Sequence, residues 1–243
     1  MGDVKINDGL MKIAEDIKRM DKNIREAELK SQLKKFKTIF PESFCLAIDS
    51  RWEVEDFIVE KCSVMNSKKL PLWLVCSNSQ KAAPPLKMLF KCGDDLRQDQ
   101  LAMQLIQIMD RIWLDNGYDF RMKPYRVLAT YDQVGMLEVV LNAETTSSIH
   151  LKFGGAFGAL KEDTIMLFLK ENNKDTESEK NALDNFVKSC AGYCVATYIL
   201  GIGDRHSGNI MVTTSGNLFH IDFGHFLGNF KYKYGFKRGF LPW

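Results

Sequence analysis

No Gly-x4-Gly-Lys-Ser/Thr run occurs in these 243 residues, which excludes a P-loop ATPase. The stretch "GIGDRHSG" (201–208) shares only its glycines with a dinucleotide fingerprint, because no helix-forming segment follows them. The six cysteines, at 45, 62, 76, 92, 190 and 194, form no Cys-x-x-Cys pair, and none stands at zinc spacing from a histidine. That excludes a zinc finger and a disulfide scaffold, and predicts reduced thiols in a cytosolic protein. Long apolar runs are also missing. The longest weakly polar stretch, Cys190 to Gly203, falls short of the roughly 20 residues that cross a bilayer. Met1–Asn7 holds no apolar segment of the secretory kind, so a soluble chain is expected. There is no strong excess of either charge: 33 Lys and Arg face 31 Asp and Glu, a net +2. Nucleic acid is therefore not an expected partner, and any basic surface must be local. No internal repeat is visible.

What is present is ordinary globular composition, 45% apolar, 26% charged and 11% aromatic, at a length that suits one large domain or two small lobes. Leu10, Ile13, Ile17, Met20 and Ile24 recur at steps of three and four, which predicts one amphipathic helix running to about Phe36 and broken by Pro41. From Asp56 to Val140 the pattern turns to short β-rich runs at 57–65, 71–76, 86–91, 125–130 and 136–140. A helix from Leu96 to Asp115 interrupts them, with Leu101, Leu105, Ile108 and Ile112 on one face. Residues 77–85 read as a loop. Beyond Asn142 the chain reads mostly helical, with a polar connector at 171–180 and a helix from about Lys180 to Leu200. "IMVTTSGNLFHI" then predicts a hairpin turning near Ser215–Gly216. The expected class is α+β: a helical lead-in over 1–55, a β-rich N-lobe with an antiparallel sheet over 56–140, and a mostly helical C-lobe over 141–243.

The chemistry concentrates in 201–225. Asp204 is followed five residues later by Asn209, and thirteen residues after that Asp222 heads an Asp-Phe-Gly run. This order is the magnesium–ATP layout of kinases. A two-strand hairpin returns the chain to its start, so Asn209 and Asp222 can face one another with hard oxygen ligands for magnesium. The competing reading is a Gly-rich turn with satisfied core polar groups. His206 can serve as a general base near neutral pH. His220, two residues before Asp222, either shares its side of the strand or packs in the hairpin. His225 can reach a transferring phosphate. His150 reads as a surface residue.

A phosphotransferase also needs a phosphate cradle, a lysine and an adenine edge. Ser67 and Lys68 lie between two strands and can offer a hydroxyl, amides and a cation to phosphates; the plainer reading is a solvated basic turn. Lys91, at a strand end, can pair with an α-phosphate, with Asp94 and Asp99 near enough to hold its ammonium. Those acids can equally cap the helix that follows. Glu138, Val139 and Val140 form an extended segment whose backbone can pair with adenine. Met65, Trp73, Tyr125, Met211 and Ile221 are candidate apolar walls, though each alone can be core.

On "SKKLPLWL" (67–74), "FKCGDDLRQD" (90–99), "SCAGYCVATYILGIGDRHSGNIM" (189–211) and "LFHIDFGHFLGNFKYKYGFKR" (218–238), the chain resembles the catalytic domain of phosphoinositide 3-kinases, over about residues 60–238. The last run resembles class I enzymes, which phosphorylate phosphatidylinositol 4,5-bisphosphate at the 3-position. The resemblance implies a bilobal protein-kinase-like fold with ATP and Mg2+. Lys91 would bind ATP phosphate, with Ser67 and Lys68 in the phosphate loop. Glu138 and Val140 would form the adenine hinge, and Asn209 and Asp222 would hold magnesium. His206 would activate the inositol hydroxyl, with Asp204 and Arg205 completing the loop, whereas protein-kinase spacing assigns the base to Asp204. Lys231, Lys233, Lys237 and Arg238 would meet the lipid headgroup and an anionic membrane, each cation contributing about 1 kcal/mol. A cytoplasmic protein recruited to the inner face of the plasma membrane follows. A regulatory subunit and a small GTPase are expected of the full-length family, but the domains that bind them are absent here.

The chain departs from the family pattern in three places. It ends "KRGFLPW" where class I enzymes continue into further helices, position 208 is Gly where Asp is usual, and 153–163 diverges locally. An incomplete C-lobe with exposed apolar surface is therefore expected. Two alternatives to an active lipid kinase follow: a truncated form that binds nucleotide or partners without turnover, and a protein kinase.

Overall fold

The computed structural model describes residues 2–39, 43–228, 232–233 and 236–237. The break expected at Pro41 lies outside them. The chain forms two compact units, one of residues up to Gln100 with Tyr125–Val139, the other of Leu101–Pro124 with the residues from Val140 on.

The first unit opens with helices α1 (Gly2–Arg19) and α2 (Arg25–Ile39). Strands β1 (Phe44–Leu46), β2 (Asp49–Phe57), β3 (Ser63–Val64), β4 (Leu72–Asn78) and β5 (Leu86–Cys92) follow, with β6 (Val127–Tyr131) and β7 (Val134–Glu138) after an excursion into the second unit. They form one antiparallel sheet in the order β1-β2-β4-β5-β7-β6, with β3 added on β4. Leu72 opposes Phe90, Leu74 opposes Met88, and Phe90 opposes Met136. Period-two alternation therefore puts all five on one face, and that face is buried under α1 and α2. Leu10, Ile17, Leu29 and Leu33 are each 0% exposed there, and each such burial contributes about 1.5–3 kcal/mol. The other face carries Trp73, Leu89, Lys91 and Leu137, all at alternate positions of the same registers.

Helix α3 (Arg97–Asp115) starts at the end of the first unit and continues into the second. The second unit then adds β8 (Ala143–Thr145), α4 (Thr146–Gly154), a 3-10 turn at Gly155–Leu160, α5 (Thr164–Asn172) and α6 (Thr176–Leu200). The hairpin of β9 (Ile210–Thr213) and β10 (Leu218–His220) follows, with β8 paired on β9. Two-residue strands β11 (Tyr232–Lys233) and β12 (Phe236–Lys237) pair with each other. The Asp175 carboxylate accepts the Ser178 N–H at 2.8 Å and caps α6, which stops at Gly201 in the left-handed region. The α+β class is as expected. Among the described residues no helix is long and apolar enough to cross a membrane.

Several local expectations are corrected. The single helix to Phe36 is two, joined by a turn in which Arg25 Nε donates to the Met20 carbonyl at 3.0 Å, and Ile24 is 52% exposed. One helix over 10–36 would be about 40 Å long, far longer than the sheet face it covers, so the chain folds back and buries both halves. The run at 57–65 holds the last residue of β2, a 3-10 turn (Val59–Lys61) and the short β3, while β1 and most of β2 lie ahead of Asp56. The charges alternating along β2 hid it, because only its inner positions Val54 and Phe57 are buried. The predicted face of α3 is turned outward: Leu101, Ile108 and Ile112 are exposed, and Ala102, Met103 and Ile106 are buried instead. The polar connector shrinks to 173–175, since the Asp175 cap lets α6 begin early. His150 is half-buried, its Nδ1 2.7 Å from Thr164 Oγ1, because α4 packs on α5.

Candidate active site

In the second unit the site is built on the loop after α6 and on the open end of the β9–β10 hairpin. His220 opposes Ile210 in the register, and the Ile221 N–H donates to the Asn209 carbonyl at 3.0 Å, so Asn209 and Asp222 lie one residue out of step across the hairpin mouth. Asn209 is 7% exposed; its Nδ2 donates to the Asp204 carbonyl at 3.2 Å and its N–H to the His206 carbonyl at 2.8 Å. With the amide nitrogen tied back, the amide oxygen is the end left to point elsewhere. Asp204 (φ 54) and Asp222 (φ 61) both sit in the left-handed region, which costs an L-residue on the order of 1–2 kcal/mol. Arg205 ties the two loops together. Its Nε donates to the Gly203 carbonyl at 3.1 Å, its Nη1 to the Ile221 carbonyl at 2.7 Å, and its Nη2 to the Asp222 carbonyl. The guanidinium lies 5.5 Å from the centroid of Phe223, which is 0% exposed and roots the segment in the core. Arg205 thus bridges the loop that carries Asp204, through the Gly203 carbonyl, and the segment that carries Asp222.

The histidines separate. His206 is exposed and its Nδ1 accepts the Gly208 N–H at 3.1 Å. A Cβ at position 208 would come within 3.0 Å of that ring, so Gly makes room for it. His220 stacks on Tyr193 at 5.2 Å, and burial, with Arg205 adding, pulls its pKa down to about 3; it packs as a neutral ring. His225 is half-buried, and its carbonyl accepts the Gly203 N–H at 2.7 Å. Met211 and Ile221 are half-buried on the hairpin.

In the first unit Lys91 ends β5, and its Nζ donates to Asp94 Oδ2 at 3.0 Å. Asp99 is 5% exposed in the first turn of α3. The Ser67–Lys68 segment is a tight turn, the Leu70 N–H reaching the Ser67 carbonyl at 3.2 Å with Leu70 at φ 49. That turn leaves Lys68 exposed and sends Lys69 back instead: its Nζ donates to the Gly93 carbonyl and lies 4.0 Å from Asp94. Sequence reasoning named Lys68 of this pair; the contact from Lys69 to Asp94 was not foreseen, and no local signal separates the two lysines. Trp73 is half-buried on the Lys91 face of the sheet, Met65 is exposed, and Tyr125 is buried at 4% exposure. Glu138 ends β7, held by Arg126, and the boundary between the units falls between Val139 and Val140. Of the predicted headgroup cations, Lys231 and Arg238 lie outside the described residues, and so do the side chains of Lys233 and Lys237.

Among the described residues no three His, Cys, Asp or Glu side chains converge as a metal cluster. An amide oxygen and one carboxylate are the donors present, which fits magnesium, since that ion commonly takes one or two carboxylates and completes its shell with phosphate and water.

The family described as phosphatidylinositol 3- and 4-kinase matches residues 85–242, more than half of the chain. Phosphatidylinositol 3-kinase 2 of Dictyostelium discoideum is 55% identical over 219 residues, which is 90% of this chain and 12% of the relative. Phosphatidylinositol 3-kinase 1 of the same organism is 46% identical over 242 residues, 98% of this chain and 15% of the relative. The chain thus spans about one-seventh of the length of the curated relatives it matches. With the strained Asp204 and Asp222 joined through Arg205 and with this match, the chain belongs to the phosphatidylinositol 3- and 4-kinase family.

Proposed function

We propose that this chain is the nucleotide-binding and phosphotransfer core of a phosphoinositide 3-kinase, moving the γ-phosphate of ATP to the 3-hydroxyl of phosphatidylinositol 4,5-bisphosphate. The observation that carries the reading is the Arg205 side chain, which hydrogen-bonds the Gly203, Ile221 and Asp222 carbonyls and so ties the loop carrying Asp204 to the strand end carrying Asp222, both of them in left-handed backbone. Asn209 and Asp222 would hold magnesium, which supplies charge neutralisation at the phosphates. Lys91, steadied by Asp94, and Lys69 offer ammonium groups to the phosphates, with Ser67 and Lys68 at the turn beside them. Glu138, Val139 and Val140 offer backbone groups to adenine, with Trp73, Tyr125, Met65, Met211 and Ile221 as apolar walls. His206 is the base: the inositol hydroxyl takes the place of the Gly208 amide at Nδ1, hands its proton there, and its oxygen attacks the γ-phosphorus as ADP leaves. His225 assists at the phosphate. Lys231, Lys233, Lys237 and Arg238 would neutralise headgroup phosphates and draw the protein from the cytoplasm to the inner face of the plasma membrane. A regulatory subunit and a small GTPase belong to the longer protein.

The test is magnesium-dependent incorporation of phosphate from ATP into phosphatidylinositol 4,5-bisphosphate vesicles, run beside a peptide substrate. Lys91→Met and Asp222→Ala are each expected to lower kcat by on the order of 100-fold. Lipid phosphorylation that survives both changes refutes the reading, and peptide-only activity replaces it with a protein kinase. A second reading is favoured by α6, which leaves Val187, Val195, Tyr198 and Ile199 exposed along one side. In that reading the chain binds nucleotide or partners without turnover, and MgATP raises its Tm while no product forms.

A further inference from the structure

The two β-strands by which the chain enters and leaves the last part of the first unit are tied together by an ion-pair chain that no site requirement has so far used. Arg126 is the second residue of the Tyr125–Val139 segment and Glu138 the second-last. Their backbones already pair, the Glu138 N–H donating to the Arg126 carbonyl at 2.9 Å. The Glu138 carboxylate then accepts both the Arg126 N–H at 3.0 Å and Arg126 Nη1 at 3.2 Å through the same Oε2. The other arm of the guanidinium, Nη2, meets Asp49 Oδ2 at 3.0 Å. Asp49 is itself 7% exposed at its side chain and is gripped by Arg51 through Nε at 3.0 Å and Nη2 at 2.8 Å. The Arg126 guanidinium also lies 5.2 Å from the centroid of Trp52.

The reach of this network is what makes it informative. Asp49 and Trp52 stand on β2, and three strands, β4, β5 and β7, separate β2 from β6 in the sheet order. Sheet neighbours are about 4.8 Å apart, so a flat sheet would hold these groups far from hydrogen-bonding distance. The contact exists because the sheet curls, and Arg126 bridges the curl. A planar fork that engages two carboxylates and an aromatic face has few alternative arrangements. It fixes the Glu138 side chain, and with it the orientation of the peptide groups that follow.

We infer that Arg126 is a positioning residue for the adenine edge: by holding Glu138 against Asp49 it presents the 138–140 backbone in one orientation to the purine base. This rests on the reading of Glu138–Val140 as the adenine-pairing segment. Its consequence is selective, because the triphosphate is met by other residues, Lys69 and Lys91. The full 243-residue chain is titrated with MgATP and, separately, with magnesium tripolyphosphate, which lacks the base. Arg126→Met is expected to weaken MgATP about 10-fold, the equivalent of one well-made hydrogen bond, and to change tripolyphosphate less than about 2-fold. Arg126→Lys, which keeps the charge but not the fork, should recover only part of the MgATP affinity. Should Arg126→Met not fold, Asp49→Asn releases one arm of the guanidinium and is expected to give a smaller loss of about 3-fold, again for MgATP alone. Equal weakening of both ligands, or none, overturns the inference while leaving the kinase reading in place. Lys91→Met separates the two: it should weaken both ligands, and if it weakens neither, the phosphate site is misassigned. A wild-type chain that binds neither ligand overturns both readings.

Discussion

Replacing Gly216 by Ala is expected to do more damage than any other single methyl group in the second unit's hairpin. Gly216 sits in the β9–β10 turn at φ +92, and a Cβ there would lie 1.9 Å from the Ala182 carbonyl oxygen and 2.6 Å from its carbon. Both atoms are backbone of α6, so neither can rotate away. Left-handed backbone costs an L-residue about 1–2 kcal/mol, and forcing a methyl into a filled space costs about 1–3 kcal/mol more. The restricted unfolded chain gives back about 0.4–1 kcal/mol. The net is a loss of about 1–5 kcal/mol, or about 2–18 °C in Tm for a chain of this size. The turn has little freedom to retreat: Asn185 Nδ2 donates to the Ser215 carbonyl at 2.9 Å, Asn173 Nδ2 to the Thr214 carbonyl at 2.8 Å, and Asn217 Nδ2 to the Arg121 carbonyl at 3.0 Å. Gly117→Ala is the matched control, since Gly117 has φ +84 and nothing within 4 Å of the added atom. It carries the backbone cost without the clash. Urea and thermal unfolding of the two variants, followed by circular dichroism, measure the difference. If Gly216→Ala costs no more than Gly117→Ala, the close packing of the turn on α6 is wrong.

Ser189 is 0% exposed; its Oγ donates to the Asn185 carbonyl at 2.6 Å and accepts the Leu218 N–H at 2.8 Å. Ser189→Ala leaves that buried N–H unpaired and should destabilise by about 1–3 kcal/mol; a change under about 0.5 kcal/mol in urea unfolding would contradict the contact. The Asp49 carboxyl is held at about 2 by its hydrogen bonds from Arg51, with Arg126 adding. A carboxyl so lowered stabilises the fold above its unfolded value of 3.8 and loses that contribution as pH falls towards 2. Because Arg51 is 76% exposed and screened, Asp49→Asn should cost on the order of 1–2 kcal/mol at pH 7. The gap between wild type and variant in urea midpoint should close between about pH 4 and pH 2, and a gap constant with pH would show that the charge of Asp49 is not what holds it.

Strands β4 to β7 and the hairpin were legible because each is a short alternating or apolar run bounded by turn residues, and all but the β5–β7 pairing join neighbours in the chain. The hairpin also makes Asn209 and Asp222 partners by spacing alone. Strand β2 was not legible, since its charged positions face solvent or, in Asp49, another charge, that of Arg126, from just before β6. The α3 stripe was misassigned for a related reason: Leu101, Ile108 and Ile112 satisfy helical periodicity as well as Ala102, Met103 and Ile106 do, and periodicity does not say which side meets a core. That Lys69 turns back to Gly93 and Asp94 depends on a turn with Leu70 at positive φ, a conformation that leucine gives no reason to expect.

By itself the amino-acid sequence determined those features whose causes are local: the Asp175 cap and Gly201 stop of α6, the hairpin after it, and the order Asp204, Asn209, Asp222 along one short loop-hairpin-loop. Tertiary structure alone decided that Arg205 ties the Gly203 and Asp222 carbonyls together, that Lys69 turns back to Asp94, and that Arg126 joins Glu138 to Asp49, 89 positions earlier in the chain. Those contacts depend on how a curled sheet and a packed helix bring distant backbone together, and a hydrogen bond a few ångströms long leaves no trace in the spacing of the residues that make it.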